Sequence, residues 1–360
     1  MKIITVVGAR PQFIKCAPLS PKLAELGTHK IIHTGQHFDP NMSAIFFEEM
    51  QIPKPDYELN ISGGDHGAQT GRMIIEIEKI LLQERPDVVV VFGDTNSTLA
   101  AGLAASKQHI PVFHVEAGLR SFDHKMPEEI NRVLTDHLAT WLSCPSDKAV
   151  EQLSDEGITK NVENTGDIML DATQYFLKKA GQNQVEEKID WPINPKEPFA
   201  LLTLHRASNT DNPTLLRAIF EGLSEANIPM VFPVHPRTRK ALAALDIKLS
   251  PNIHLVDPVG YMEMLVLIDN ARWVITDSGG LQKEAFFLDT QCITLRDTTE
   301  WSETVVLGWN ELVLSDSETF EEALLLEVLK RPVPDKSDAT PYGKGQASEA
   351  IVRMLTHFDS

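Results

Sequence analysis

Short apolar runs rich in β-branched residues recur along the chain, separated by longer stretches with helical periodicity. They are Ile3 to Val7, Lys30 to His33, Val88 to Phe92 and Val112 to Val115, then Phe199 to Leu204, Met230 to Val234, Ile253 to Val256, Trp273 to Thr276 and Cys292 to Leu295. Runs that are apolar throughout predict parallel sheets covered by helices on both faces, in βαβ order. Periodicity lapses in the polar stretch Lys178 to Pro198, which Pro192, Pro195 and Pro198 interrupt. With 360 residues, more than one core usually takes up, the pattern predicts two Rossmann-like, doubly wound α/β domains. Their expected bounds are residues 1–168 and 169–344, with the crossing near Gly166. A final amphipathic stretch, Ala347 to Phe358, predicts a helix over about 345–360 that docks on the first domain.

Composition narrows the function classes. The net charge is −18, from 51 acidic and 33 basic residues, so the overall field repels nucleic acid and anionic membranes. A phosphorylated substrate then needs a local basic pocket. No apolar run approaches the roughly 20 residues of a spanning helix, and MKIITVVGAR lacks a secretory pattern, so a cytoplasmic protein without membrane insertion is expected. Cys16, Cys144 and Cys292 stand far apart without CxxC spacing, which predicts buried reduced thiols and neither a disulfide framework nor a metal site.

Chemistry-bearing residues gather where the predicted strands end, which is where open parallel sheets place ligands. The first strand runs into Gly8-Ala9-Arg10-Pro11. Pro11 suits the first helical position, so this turn offers Arg10 and free backbone N–H groups to an anion, or is a plain Rossmann turn. It is not GxGxxG, and no acidic residue after a second strand completes a dinucleotide site, so NAD is not expected. The third strand delivers Asp94, suited to acid–base chemistry or to helix capping. The next ends in His114, Glu116 and Arg120, and the helix opening MPEEINR adds Glu128, Glu129 and Arg132. Acids converging on one sheet edge predict proton transfer, with one of them left for capping.

The second half presents basic strand ends instead. FALLTLHRASN ends in His205 and Arg206, and MVFPVHPRTRK in His235, Arg237 and Arg239. A histidine beside an arginine at such an edge suits ligand contact, the alternative being a satisfied structural group. In WVITDSGGLQKEAFF, Ser278, Gly279 and Gly280 connect a strand to a helix, where backbone N–H donors and the positive end of the helix dipole suit a diphosphate. Glu284, one turn further, suits ribose hydroxyls or a surface ion pair.

The segments GARPQFIK, TGQH, GDTNSTLA, HVEAGLRS, PEEINR, LHRA, PVHPRTRK, TDSGG, QKEA, LRDTTE and PYGKGQAS span nearly the whole chain. In them the chain resembles the non-hydrolysing UDP-N-acetylglucosamine 2-epimerases. The resemblance implies a glycosyltransferase family B-like fold with the active site in the interdomain cleft, a homodimer, and UDP held mainly by the second domain. It implies acid–base roles for Asp94, Glu116 and Glu128, and for His205 a diphosphate contact that supports catalysis. Arg10 and Lys15 match phosphate-side contacts, Ser278, Gly279 and Gly280 the diphosphate loop, Glu284 the ribose contact, and Pro258 to Tyr261 the segment near uracil. Arg120, Arg132, His235 and Arg237 complete the expected substrate contacts. Some members bind UDP-N-acetylglucosamine at a second, activating site. Gln36, Arg206 and His235 match it, but Asp39 stands where those members carry Gln, so weak or absent activation is expected.

Three departures bear on specificity: Lys283 where Glu is usual, Ala207-Ser208 where Arg-Glu is usual, and TEWSE for TERPE. They resemble a subgroup that includes epimerases of UDP-2,3-diacetamido-2,3-dideoxyglucuronate, an O-antigen precursor. A uronate carboxylate needs a cation or several donors, and Arg120, Arg237 and Lys283 are the unassigned cations near the motifs. The broad-family substrate, UDP-N-acetylglucosamine, remains the expectation. Its C2 proton is not adjacent to a carbonyl carbon, so loss of UDP from C1 has to acidify it, giving a 2-acetamidoglycal. This route requires no cofactor. Rival readings are a hydrolysing epimerase, a retaining glycosyltransferase and a noncatalytic UDP-sugar sensor, the last having no need of Asp94, Glu116 and Glu128 together.

Overall fold

The computed structural model describes residues 1–36, 54–334 and 340–357, which fall into two units. The first comprises Met1–Tyr175 and Thr340–Ser360. In chain order its elements are β1 (Lys2–Val7), α1 (Arg10–Glu25), β2 (Thr28–His33), β3 (Tyr57–Glu58), α2 (His66–Glu84), β4 (Val88–Phe92), α3 (Asn96–Lys107), β5 (Val112–Val115), α4 (Pro127–Leu138), β6 (Trp141–Cys144), α5 (Asp147–Asp155) and β7 (Val162–Asn164), before α6 (Ile168–Gln182). The seven strands form a parallel sheet in the order β3-β2-β1-β4-β5-β6-β7. The order reverses between β1 and β4, the point at which such sheets open a crevice at their carboxyl ends.

Val88–Val91 are buried on both sides, as their unbroken apolar run predicts. Each such valine contributes about 1.5–3 kcal/mol of burial. On one face, Ala100, Ala101, Ala104 and Ala105 of α3 pack with Met73, Ile77 and Leu81 of α2 over Ile4, Val6, Val89 and Val91. Gly8, just after β1, is required by space: a Cβ there would lie 2.0 Å from Ser97 Oγ and 2.3 Å from Thr34 Oγ1.

The second unit, Phe176–Ala339, begins within α6 and continues through α7 (Val185–Lys188), β8 (Ala200–Thr203), α8 (Ala207–Thr210), α9 (Pro213–Glu225), β9 (Met230–Pro233), α10 (Pro236–Ala244), β10 (Ile253–Val256), α11 (Tyr261–Asn270), β11 (Trp273–Thr276), α12 (Gly279–Phe287), β12 (Gln291–Thr294), α13 (Ser302–Val306), β13 (Asn310–Leu312) and α14 (Glu322–Val328). Its parallel sheet has the order β10-β9-β8-β11-β12-β13, reversing between β8 and β11. Leu202, Leu204, Ile219, Phe220, Phe232 and Ile275 are central to its core.

One expectation about chain organisation changes. Lys178 does not open a linker, because α6 continues to Gln182. Ala180 and Val185 pack with Val266, against Leu177, Ile189 and Trp191, so this polar stretch carries a small apolar face. The last helix, α15 (Ala347–Thr356), belongs to the first unit and packs on α1; Phe358 lies outside the described residues. Asp171 caps it, accepting from Ala347 N at 3.0 Å, Ser348 N at 2.8 Å and Ser348 Oγ at 2.6 Å. Among the described residues, no helix is long and apolar enough to cross a membrane.

Candidate active site

In the first unit, three adjacent strands end side by side and bring Asp94 and Glu116 close to Lys15 and Arg132. Asp94 follows β4, Glu116 follows β5, and Lys15 lies on α1 after β1. Lys15 pairs with Glu116, whose side chain is 9% exposed. Arg132 reaches from α4 to Asp94 Oδ2 at 2.5 Å and to Glu129 Oε2 at 3.0 Å. Burial, the largest influence, joins Glu116 in raising the Asp94 carboxyl above the ordinary aspartate range, against the lowering effects of Arg132 and Lys15.

The backbone is bent to achieve this. Glu116 has φ +68°, uncommon for a residue with a side chain, and Gly93 has φ +58°. A Cβ on Gly93 would stand 3.0 Å from Glu116 Oε2, so the missing side chain leaves the carboxylate its place.

The acids of α4 separate by environment. Glu129 is buried and accepts from Ser121 N at 2.8 Å, Ser121 Oγ at 2.9 Å and Phe122 N at 2.9 Å. Burial opposes ionisation, but these donors and Arg132 hold its carboxyl below the usual carboxylate range. Glu129 therefore anchors the Ser121–Phe122 loop before α4, and the helix has no side-chain cap. Glu128 is partly exposed and has no polar partner among the described residues, which leaves it available for proton transfer.

Several expectations in this unit are revised. The Gly8 and Ala9 N–H groups are not free: both donate to Gln12 Oε1, at 2.7 and 3.2 Å. Gln12 Nε2 in turn donates to Phe92 O at 2.7 Å, Thr98 Oγ1 at 2.9 Å and Thr95 Oγ1 at 3.0 Å, so one buried amide ties the β1 turn to the β4 turn. Arg10 is exposed and is the first residue of α1, one position before Pro11. Arg120, expected at the substrate, has a side chain only 2% exposed and is held by Glu156 and Asp136 at 2.7 Å each. His114 is wholly buried against Asp136 and the Gly93 carbonyl. Gln36 accepts from Ser97 N at 2.9 Å and Ser97 Oγ at 2.7 Å, and Asp39 lies outside the described residues.

The second unit builds a different surface at the ends of β8 and β11. Asp277 is fully buried and accepts from His205 N at 2.9 Å, Arg206 N at 2.8 Å and Asn209 Nδ2 at 3.1 Å. It folds the β8 turn so that the His205 side chain stays 42% exposed, with its ring 5.9 Å from that of His235. His235 caps α10, its Nδ1 accepting from Arg237 N at 3.2 Å. Burial, then His205 and Arg237, lower the His235 pKa, consistent with a neutral ring that accepts at Nδ1.

At the start of α12, Ser278 and Gly279 are partly exposed and Gly280 exposed, and the first-turn N–H groups have no intrahelical acceptors. Trp301 fixes this turn by donating to Gly279 O at 2.8 Å. The Lys283 ammonium lies 4.1 Å from the centre of the Trp301 ring, so two of the departures from the common pattern touch each other. Arg206 is half-buried beside Gly279, its pKa pulled down by burial and by Arg296.

The remaining residues are placed less simply. Glu284 is 4% exposed. Pro258 is exposed in the loop after β10, while Tyr261, expected near uracil, is buried edge-on against Phe176. Arg237 turns toward Thr210 Oγ1 at 3.0 Å and Asp211 Oδ2 at 2.5 Å. Sequence reasoning missed Gln12 and Asp136, whose importance lies in partners far along the chain. Among the described residues, no group of three His, Cys, Asp or Glu side chains could hold a metal ion.

The family described as UDP-N-acetylglucosamine 2-epimerase matches residues 23–356. The chain is 48% identical to the UDP-2,3-diacetamido-2,3-dideoxy-D-glucuronate 2-epimerase of Pseudomonas aeruginosa, over 99% of each. It superposes with TM-score 0.84 and 46% identity on the Methanocaldococcus jannaschii UDP-GlcNAc 2-epimerase solved in complex with UDP-GlcNAc and UDP, over 99% of this chain and 100% of that one. Likeness in fold alone extends to Acinetobacter baumannii MurG, at TM-score 0.58 and 14% identity over 99% of this chain and 100% of that one.

Proposed function

This chain belongs to the UDP-N-acetylglucosamine 2-epimerase family, and from that premise we propose that it interconverts UDP-N-acetylglucosamine and UDP-N-acetylmannosamine by elimination and re-addition of UDP. The observation that carries the reading is the group of Asp94 and Glu116 with Lys15 and Arg132 at the β1/β4 switch point. A sensor that only binds a UDP-sugar has no use for a carboxyl whose proton affinity is raised.

In the proposed reaction, the C1–O bond to UDP breaks and a carboxylate removes the C2 proton, forming the C1=C2 bond of a 2-acetamidoglycal. A carboxylic acid then returns a proton to the opposite face of C2, and a UDP oxygen re-adds to C1. The sum is redox-neutral. Asp94, Glu116 and Glu128 are the proton-transfer groups. Ser278, Gly279 and Gly280, with His205, receive the departing diphosphate, whose developing charge suits the N–H donors of a helix start. Glu284 serves the ribose, and Pro258 with Tyr261 bounds the uracil segment.

Incubation with UDP-N-acetylglucosamine in D2O, followed by proton NMR, tests this directly. The expected product is UDP-N-acetylmannosamine carrying deuterium at C2. Retention of the original hydrogen in single-turnover product sinks the elimination route, and free N-acetylmannosamine would identify a hydrolase instead.

A second reading takes UDP-2,3-diacetamido-2,3-dideoxyglucuronate as substrate, favoured by the likeness to the Pseudomonas enzyme and by the Lys283–Trp301 pair. Arg120 no longer supports it, since Glu156 and Asp136 engage its guanidinium. A preference above about 10²-fold in kcat/KM for the uronate would establish this reading.

The proposal includes a cytoplasmic homodimer. Met126, which precedes α4, and Ile130 and Leu134 within it, spaced by four, are 36%, 46% and 46% exposed beside Phe122 at 69%, and a second copy is the occupant proposed for this face. Sedimentation of the Ile130→Asp, Leu134→Asp double variant should show a monomer where the parent protein is a dimer; an unchanged dimer would remove the assignment.

A further inference from the structure

Behind the acidic edge, Asp136 of α4 is buried, touching the Glu116 turn directly and the Asp94 turn through His114. Its Oδ1 lies 2.7 Å from His114 Nδ1, and its Oδ2 accepts from Gly118 N at 3.1 Å and Arg120 Nη1 at 2.7 Å. The other ring nitrogen of His114, Nε2, lies 2.8 Å from Gly93 O. Gly93 directly precedes Asp94, and Gly118 follows Glu116 by two residues.

A carboxylate and a carbonyl oxygen can only accept, so with both bonds made His114 carries a proton on each ring nitrogen. His114 and Arg120 hold the Asp136 carboxyl below the ordinary aspartate range although burial opposes this. The arrangement is an imidazolium–carboxylate pair enclosed in the first unit, with Arg120 balanced in turn by Glu156. Leaving either member alone would bury an uncompensated charge, so the pair resists rearrangement.

We propose that Asp136 and His114 act as a positioning pair: one buried carboxylate fixes the Asp94 turn through the His114 ring and the Glu116 turn through the Gly118 N–H, and so sets the two acids relative to each other. Neither residue touches substrate. Proton transfer tolerates little misplacement, and both turns use positive φ angles at Gly93, Glu116 and Gly118 that need external support. The inference rests on the epimerase reading given above.

The test compares Asp136→Asn with Glu156→Gln. Both alter one buried network, but Glu156 contacts neither acid-bearing turn. Asp136→Asn should lower kcat by about 10–100-fold, with KM and calorimetric UDP affinity changed less than twofold, while Glu156→Gln keeps kcat within threefold. Equal losses in the two variants, or an Asp136→Asn enzyme with unchanged kcat, would overturn the proposal. Nitrogen-15 NMR of the His114 ring in the unaltered protein gives an independent reading if Asp136→Asn does not fold. Two protonated nitrogens are expected, and a single N–H tautomer would overturn it. Absence of C2 deuterium incorporation by the unaltered enzyme would instead count against the epimerase reading.

Discussion

Arg132 Nη2 stands 2.5 Å from Asp94 Oδ2, yet folding raises the proton affinity of that carboxyl. Burial and the neighbouring Glu116 outweigh the guanidinium, so the ionised form is the one that folding disfavours. The stability linked to Asp94 is therefore complete below its unfolded value of about 3.9 and is lost as pH rises through the higher folded value. Asp94→Asn should melt at or above the parent temperature at pH 7.5, with the difference shrinking toward pH 4. Its kcat should fall by about 10²–10⁴. Scanning calorimetry beside a coupled assay checks both; a marked drop in melting temperature at pH 7.5 would contradict the sign.

Asp277 tests the proposed diphosphate surface. Its carboxylate takes the N–H groups of His205 and Arg206 and the Asn209 amide, and an asparagine would turn N–H donors toward some of those donors. Asp277→Asn should lose about 3 kcal/mol in urea unfolding of the second unit and weaken UDP binding. Full UDP affinity in the variant would show that the β8 turn holds its shape without this anchor.

Gly93→Ala should cost about 1 kcal/mol of stability for the left-handed backbone. The added methyl also meets Glu116 Oε2 at 3.0 Å. Turnover should fall by about 10–100-fold, more than the stability loss accounts for, because a shift of this carboxylate misplaces a group proposed for proton transfer. Equal activity in the folded variant would separate Glu116 position from rate.

Cys16, Cys144 and Cys292 are buried, and burial pushes each thiol up to about 12. None should react with a disulfide reagent at pH 8 in the native protein, and all three should react in denaturant. A thiol titrating rapidly under native conditions would identify local opening around it.

The strands that could be read from sequence are those whose runs are apolar throughout, such as Val88–Val91. The pattern did not mark β3, β7 or β13, which are two- or three-residue edge strands with polar residues, as in Val162–Asn164, nor the interior strand β6, whose four residues WLSC are too short and interrupted by Ser143 to read as an apolar run. Asp94 and Glu116 were legible because a strand followed by a turn fixes where a side chain emerges. Arg120 was not, because its charge is visible in sequence while its partner Glu156 lies 36 residues away. Gln12 and Asp136 are polar residues buried within helices, where periodicity predicts exposure. Only folding supplies the strand ends and turns they join.

The first unit is assembled from both ends of the chain, with α15 capped by Asp171 and its Ile351 and Leu355 fully buried. During synthesis the ribosome completes the whole of Phe176–Ala339 before it makes this helix. At about 5–20 residues per second, the second unit can fold while the first still lacks part of its covering. The acid-bearing unit is then the later of the two to mature, although most of it is made first. A chain stalled before Ala347 would present a finished second unit and an unsealed acid-bearing one.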